Sequence, residues 1–109
     1  MTVYLDPTAP IAPDALLPGD PGRALALAQS LLERPRMCNH RRGLWGYSGS
    51  GDAGHALTIQ ATGIGGPSVA AVVAELAGHG VRRAVRLGTC TAVDGGPPPG
   101  SLLAAERAI

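Results

Sequence analysis

The stretch Ala56 to Thr89 constrains this chain most, because it reads in one pass as strand, glycine turn, helix and strand. Ala56 to Ala61 mixes apolar and β-branched residues at strand length. Thr62-Gly63-Ile64-Gly65-Gly66 follows as a turn where backbone can approach a ligand closely, since glycine carries no Cβ. Pro67 suits the start of a helix, where its missing N–H costs nothing. Val69, Val72, Val73 and Leu76 recur at helical spacing and form one apolar stripe. Gly78 and Gly80 end that helix, and Val81 to Leu87 returns as a strand. A βαβ unit predicts a parallel strand pair joined by a right-handed crossover. In such sheets ligands gather at the carboxyl ends of the strands. Both ends here carry glycine and threonine, and the second also carries Arg86, placed by this reading on a central strand.

The rest of the chain supports an α/β fold with a mixed, largely parallel sheet flanked by helices. Met1 to Pro13 is proline-rich and reads as an irregular arm. Ala15 to Leu17 is a short strand. Asp20 fits a helix N-cap and Pro21 the position after it. That helix is predicted to run to about Glu33, with Pro35 stopping it. Arg36 to His40 and Leu44 to Ser50 read as strands, and the turn Gly49 to Gly54 leads into the strand at Ala56 as a hairpin. Cys90 to Gly100 is a loop, and Ser101 to Glu106 could begin one more strand. A last strand without a covering helix leaves an apolar face and an edge open, which suggests a truncated chain or one relying on a partner.

At 109 residues the chain is one small domain. A net charge of +1 gives no electrostatic case for nucleic-acid binding. All nine basic residues are arginine, which fits a coding bias towards Ala, Gly, Pro and Leu as well as any selection for guanidinium groups. Cys38 and Cys90 lie far apart, with neither a metal nor a redox spacing, so reduced thiols are expected. The first residues have neither the basic nor the apolar region of a signal peptide, and no apolar run is long enough to span a membrane. A cytoplasmic protein is the plain expectation.

Three places could carry chemistry. Arg86 ends a strand, and a guanidinium there is costly unless an anion meets its planar fork; alternatively Arg82, Ala84 and Arg86 line a solvated face. Gly19-Asp20-Pro21-Gly22-Arg23 opens a helix, whose free N–H groups and partial positive charge suit an anion; alternatively it is an ordinary capped helix with a surface arginine. Arg41 and Arg42 are basic neighbours before a glycine, a pattern that also fits a solvated turn. His40, His55 and His79 show no metal spacing, and no metal is assigned. The glycine turn departs from Gly-x-Gly-x-x-Gly at Ser68, and no acidic residue closes the next strand, so a dinucleotide site fits poorly.

Four blocks, LLPGDPGRA, HRRGLWGYSG, ATGIGGPS and RLGTCTAV, stand in an order and spacing that resembles the amino-terminal half of the bacterial nucleoside phosphorylase family. That family holds hexameric purine nucleoside phosphorylases and uridine phosphorylases, and the resemblance runs from about Leu16 to Val93. It implies a nucleoside phosphorylase-like fold truncated after about half the family domain, with inorganic phosphate as co-substrate and no other cofactor. It puts Gly19, Arg23, Arg86, Leu87, Gly88 and Thr89 on phosphate, and Arg42 on the phosphate of a neighbouring subunit in a homo-oligomer. Ile64 would lie near the ribose, and Cys90 and Thr91 near the base. Where the family donates an arm histidine to the neighbour's nucleoside site, this arm has Tyr4.

The implied reaction is phosphorolysis of a ribonucleoside to free base and ribose 1-phosphate, through an oxocarbenium-like state. The family's ribose-gripping glutamate and its acid for the departing base have no counterpart among these residues, so no turnover is expected from this chain alone. GLWGYSG beside LLPGDPGRA favours a purine substrate, while ATGIGGPS pulls towards uridine. A nucleosidase using water would not need Arg23, Arg42 and Arg86. The non-enzyme alternative is a remnant that binds phosphate or nothing.

Overall fold

Strand β1 (Asp14–Pro18) joins the two parallel pairings of a five-stranded sheet in a computed structural model that describes residues 3–107. The expected arm start at Met1 and chain end at Ile109 lie outside the described residues. After β1 come α1 (Pro21–Leu31), β2 (Glu33–Asn39), β3 (Gly46–Ser50), β4 (Ala56–Gln60), α2 (Gly66–Gly78) and β5 (Arg83–Leu87). The strand order is β2-β3-β4-β1-β5. β1 pairs parallel with both β4 and β5, while β3 runs antiparallel to β2 and β4. Four strands therefore share one direction and β3 alone is reversed, so the mixed, largely parallel α/β architecture is what the chain adopts.

Successive residues of a strand face opposite sides, and β1 uses both. Ala15 and Leu17 pack with Val72 and Leu76 of α2, whereas Leu16 packs with Ala24 and Ala28 of α1. The two helices thus cover opposite faces of the sheet. Val72 and Leu76 have no exposed surface, each contributing about 1.5–3 kcal/mol by burial. Val73, expected in the same stripe, is 40 % exposed, so the buried face of α2 is narrower than its spacing suggested.

β4 sends Ile59 and Ala61 into the α1 core and turns polar side chains to its other face. Thr58, Gln60 and Thr62 are fully buried there. They stand in for missing secondary structure. Thr58 Oγ1 accepts from Ala12 N (2.8 Å), Gln60 Nε2 donates to Leu44 O (2.8 Å), and Asn39 Nδ2 donates to Leu44 O (2.7 Å). An irregular arm and the loop before β3 can lie against the sheet because these side chains satisfy their backbones.

Four expectations are corrected. β4 and β5 are parallel but not neighbours, because β1 lies between them; strands adjacent in sequence need not pair when an earlier strand takes the slot. β5 is consequently an edge strand of the described sheet rather than a central one, and all five of its residues are exposed. Residues 101–106 form no strand. Helix α1 stops at Leu31, before Pro35, because β2 starts at Glu33 to pair with Ser50.

Candidate functional site

Three strand ends converge at the carboxyl edge of the parallel strands. Beyond β1 and β4 the ladder continues, with Thr62 N donating to Pro18 O and Gly63 N to Gly19 O, both at 3.0 Å. Arg86, level with Leu17 in the β1–β5 pairing, folds its guanidinium across this edge. Its Nη1 donates to Leu17 O (3.2 Å) and Leu87 O (2.7 Å). A Cβ on Gly19 would stand 3.3 Å from Arg86 Nη2 and 3.3 Å from Gly63 O, so the missing side chain is what permits this approach. Gly88 makes room in the same way, since a Cβ there would fall 2.6 Å from Nη1. Gly63 itself has φ +75°, a conformation costly for any residue with a Cβ.

The electrostatics of this edge differ from those of an ordinary arginine. Among the described residues Arg86 bonds only to carbonyl oxygens, which orient the fork but carry no net charge. Its Nε and Nη2 find no protein acceptor there. Such a group can meet an oxyanion with charge-assisted hydrogen bonds.

Helix α1 begins beside this edge. Asp20 caps it, its Oδ2 accepting from Arg23 N (2.9 Å), and Gly22 leaves room for the carboxylate to turn inwards. The Asp20 charge is thus spent on the helix terminus, and the Arg23 side chain stays exposed in the first turn. Leu87 and Gly88 are exposed beside the guanidinium, Thr89 is exposed next in the chain, and Ile64 is 96 % exposed in the turn before α2. Cys90 and Thr91 lie further along and line a cavity of about 400 Å³ with Pro98 and Ser101.

Arg42 and Tyr4 form a second cluster. The Arg42 guanidinium lies 5.0 Å from the centre of the Tyr4 ring, and its Nε donates to Val3 O (3.1 Å). Arg42 has φ +59°, in the left-handed region. No hydrogen bond or ion pair joins this cluster to Arg86 among the described residues. The structure therefore brings Gly19, Gly88 and Arg86 together and leaves Arg42 and Tyr4 with each other.

Two groups escaped the sequence reading. Glu75 accepts backbone N–H groups from three consecutive arm residues: Val3 (3.2 Å), Tyr4 (2.9 Å) and Leu5 (2.9 Å). Its signal was present, because Glu75 is the one charged residue in α2. At the opposite end of the strands, Asp14 accepts from Arg83 Nε (2.9 Å) and Nη2 (2.7 Å), and His55 Nε2 stands 2.7 Å from Asp14 Oδ2. The Arg83 hydrogen bonds, chiefly, hold the Asp14 carboxyl down at about 2. Nothing in the spacing of residues 14, 55 and 83 announces that cluster.

The buried thiol of Cys38 is pushed up by desolvation. No group of three or more His, Cys, Asp or Glu side chains among the described residues could hold a metal ion. Among them no helix is long and apolar enough to cross a membrane.

A largely parallel sheet with glycine turns, and an arginine without a carboxylate partner at its strand ends, defines an α/β protein with a candidate anion-binding edge. The chain belongs to the phosphorylase superfamily, which it matches over residues 13–109. It is 43 % identical over 84 residues to a purine nucleoside phosphorylase DeoD-type of Oceanobacillus iheyensis, covering 76 % of this chain and 35 % of that protein. The protein of the same name from Alkaliphilus metalliredigens is 43 % identical over 84 residues, 76 % of this chain and 36 % of its own. That of Clostridium beijerinckii is 39 % identical over 92 residues, 83 % of this chain and 38 % of its own. The chain thus spans little more than a third of the length of the curated relatives it matches.

Proposed function

We propose that this chain supplies the phosphate-holding part of a purine nucleoside phosphorylase. The observation carrying the reading is the approach of the Arg86 guanidinium to the Gly19 turn, where a Cβ would stand 3.3 Å away. Gly19, Arg23, Arg86, Leu87, Gly88 and Thr89 hold inorganic phosphate, which needs no further cofactor. A phosphate oxygen bonds to the anomeric carbon of the ribose while the bond to the base breaks. The electron pair leaves with the base, which takes up a proton. Arginines fix the nucleophile beneath the sugar and favour the transition state by proximity and charge.

Ile64 lies along the ribose, and Cys90 and Thr91 along the base. Arg42 and Tyr4 serve the site of a neighbouring subunit in a homo-oligomer, located in the cytoplasm. The relatives' names support the purine substrate over uridine. Neither the ribose-gripping glutamate nor the base-protonating acid is assigned to this chain.

Isothermal titration with inorganic phosphate tests the reading. Saturable heat is expected, with no release of base from inosine or uridine in the presence of phosphate. A flat titration removes the phosphate site, and base release by the isolated chain removes the division into a partial site.

A further inference from the structure

The arm has no helix or strand over residues 3–13, yet it follows one path, and hydrogen bonds to residues distant in sequence set that path. Asn39 Oδ1 accepts from Asp6 N (2.8 Å), and Cys38 O accepts from Thr8 N (2.8 Å). One acceptor group holds three residues at the start, where the Glu75 carboxylate takes the N–H groups of Val3, Tyr4 and Leu5. A carboxylate accepting several backbone N–H bonds is a strong, charge-assisted anchor.

The held residues are the ones that touch Arg42. Val3 O accepts from Arg42 Nε, and the Tyr4 ring underlies the guanidinium. Arg42 is held at φ +59°, a conformation that persists in a non-glycine residue only when its surroundings over-determine it. The turn is closed by its own backbone, Gly43 N donating to His40 O (3.2 Å) and Leu44 N to Arg41 O (3.1 Å), while Val3 and Tyr4 hold the guanidinium and are fixed from α2.

We propose that Glu75 is a positioning residue for Arg42. Its carboxylate pins the arm, and the arm in turn fixes the direction of the guanidinium. In the phosphorylase reading, on which the functional consequence rests, Glu75 thereby links helix α2 to the arginine offered to a neighbour's phosphate. The sequence separation, 71 residues between Tyr4 and Glu75, makes this a tertiary device.

Arginine side-chain NMR on the 109-residue chain tests it, with the Nε–H signal of Arg42 assigned through Arg42→Lys. The wild-type signal is expected to be shifted by the Tyr4 ring and protected from exchange by Val3 O. Glu75→Gln keeps the side-chain length and removes the charge. It is expected to bring the signal to the position and exchange rate of a free arginine, and to weaken phosphate binding about fivefold, the worth of one misaligned hydrogen bond. In an Arg42→Ala background the same change is expected to have no further effect on phosphate. Tyr4→Leu, which leaves α2 untouched, is expected to remove the ring shift while the exchange protection stays.

An Arg42 signal unaltered by Glu75→Gln, with the amides of residues 3–5 exchanging faster, overturns the proposal. If phosphate shifts no arginine signal in the wild type, the phosphate reading falls instead, and the positioning role stands or falls on the Arg42 signal alone.

Discussion

Arg83 and Arg86 sit three residues apart on the same strand and meet opposite fates. At the amino end of the parallel strands, Arg83 binds Asp14 through two nitrogens, and His55 joins them. At the carboxyl end, Arg86 reaches only the carbonyls of Leu17 and Leu87. The first arginine is electrically closed by the protein. The second is held in place while its charge stays unmatched. Residue type and strand are shared, but the two stand at opposite ends and on opposite faces, so the difference lies in what the neighbouring strands bring there. At one end they bring an aspartate, and at the other glycines that admit an approach without opposing it by charge.

The largest effect that could break this contrast is on phosphate binding. Arg86→Ala is expected to weaken it ten- to a hundredfold, since charge-assisted hydrogen bonds are worth about 1.5–3 kcal/mol each. Arg83→Ala should leave it within about twofold, near the ±0.5 kcal/mol of a surface substitution away from the site. Equal losses in both variants, read by calorimetry, would erase the distinction between the ends.

A smaller effect concerns the backbone of the carboxyl edge. Gly63→Ala forces a Cβ into φ +75° and to 2.8 Å from Ser68 Oγ. A loss of about 1–2 kcal/mol in urea denaturation is expected, from left-handed backbone strain alone. An unchanged midpoint would mean that this turn is not rigid.

The amino end is sharpened by pH. The folded Asp14 carboxyl lies at about 2, below its ordinary 3.8, so its contribution to stability is present above pH 3.8. That contribution is lost as pH falls towards 2. Thermal midpoints should drop over that window in the wild type and drop less in Asp14→Asn. High salt should shrink the difference, because the cluster is open to solvent.

The smallest effect comes from the turn that delivers His55. Ala53 has φ +54°, and Ala53→Gly should raise stability by less than about 1 kcal/mol, the strain relieved being partly offset by the entropy of glycine. A lower midpoint would argue that the side chain, and not the backbone, matters there.

Much of the fold was legible because local chemistry marks it. Asp20 and Pro21 start α1 where they were expected, with the aspartate accepting from Arg23 N. Pro67 at the start and Gly78 and Gly80 at the end marked α2, which runs from Gly66 to Gly78. Arg86 and the Gly19 turn were both singled out from residue type, and they meet. What local pattern could not supply was the insertion of β1 between β4 and β5, because a strand's hydrophobic alternation does not name its partners. Nor could it show that Gln60 holds Leu44 from 16 residues away, or that Asn39 and Glu75 hold the arm from 33 and 71 residues away.

The amino-acid order alone determined most of the strand, turn and helix units and singled out Arg86 and the Gly19 turn as candidates. Those follow from period, capping and the geometry of glycine, proline and arginine, which act over a few residues. Tertiary structure decided which arginine is neutralised and which is not. A guanidinium's partner is whatever carboxylate the sheet order carries within about 3 Å, hydrogen-bonding range, and that order exists only once distant strands have paired.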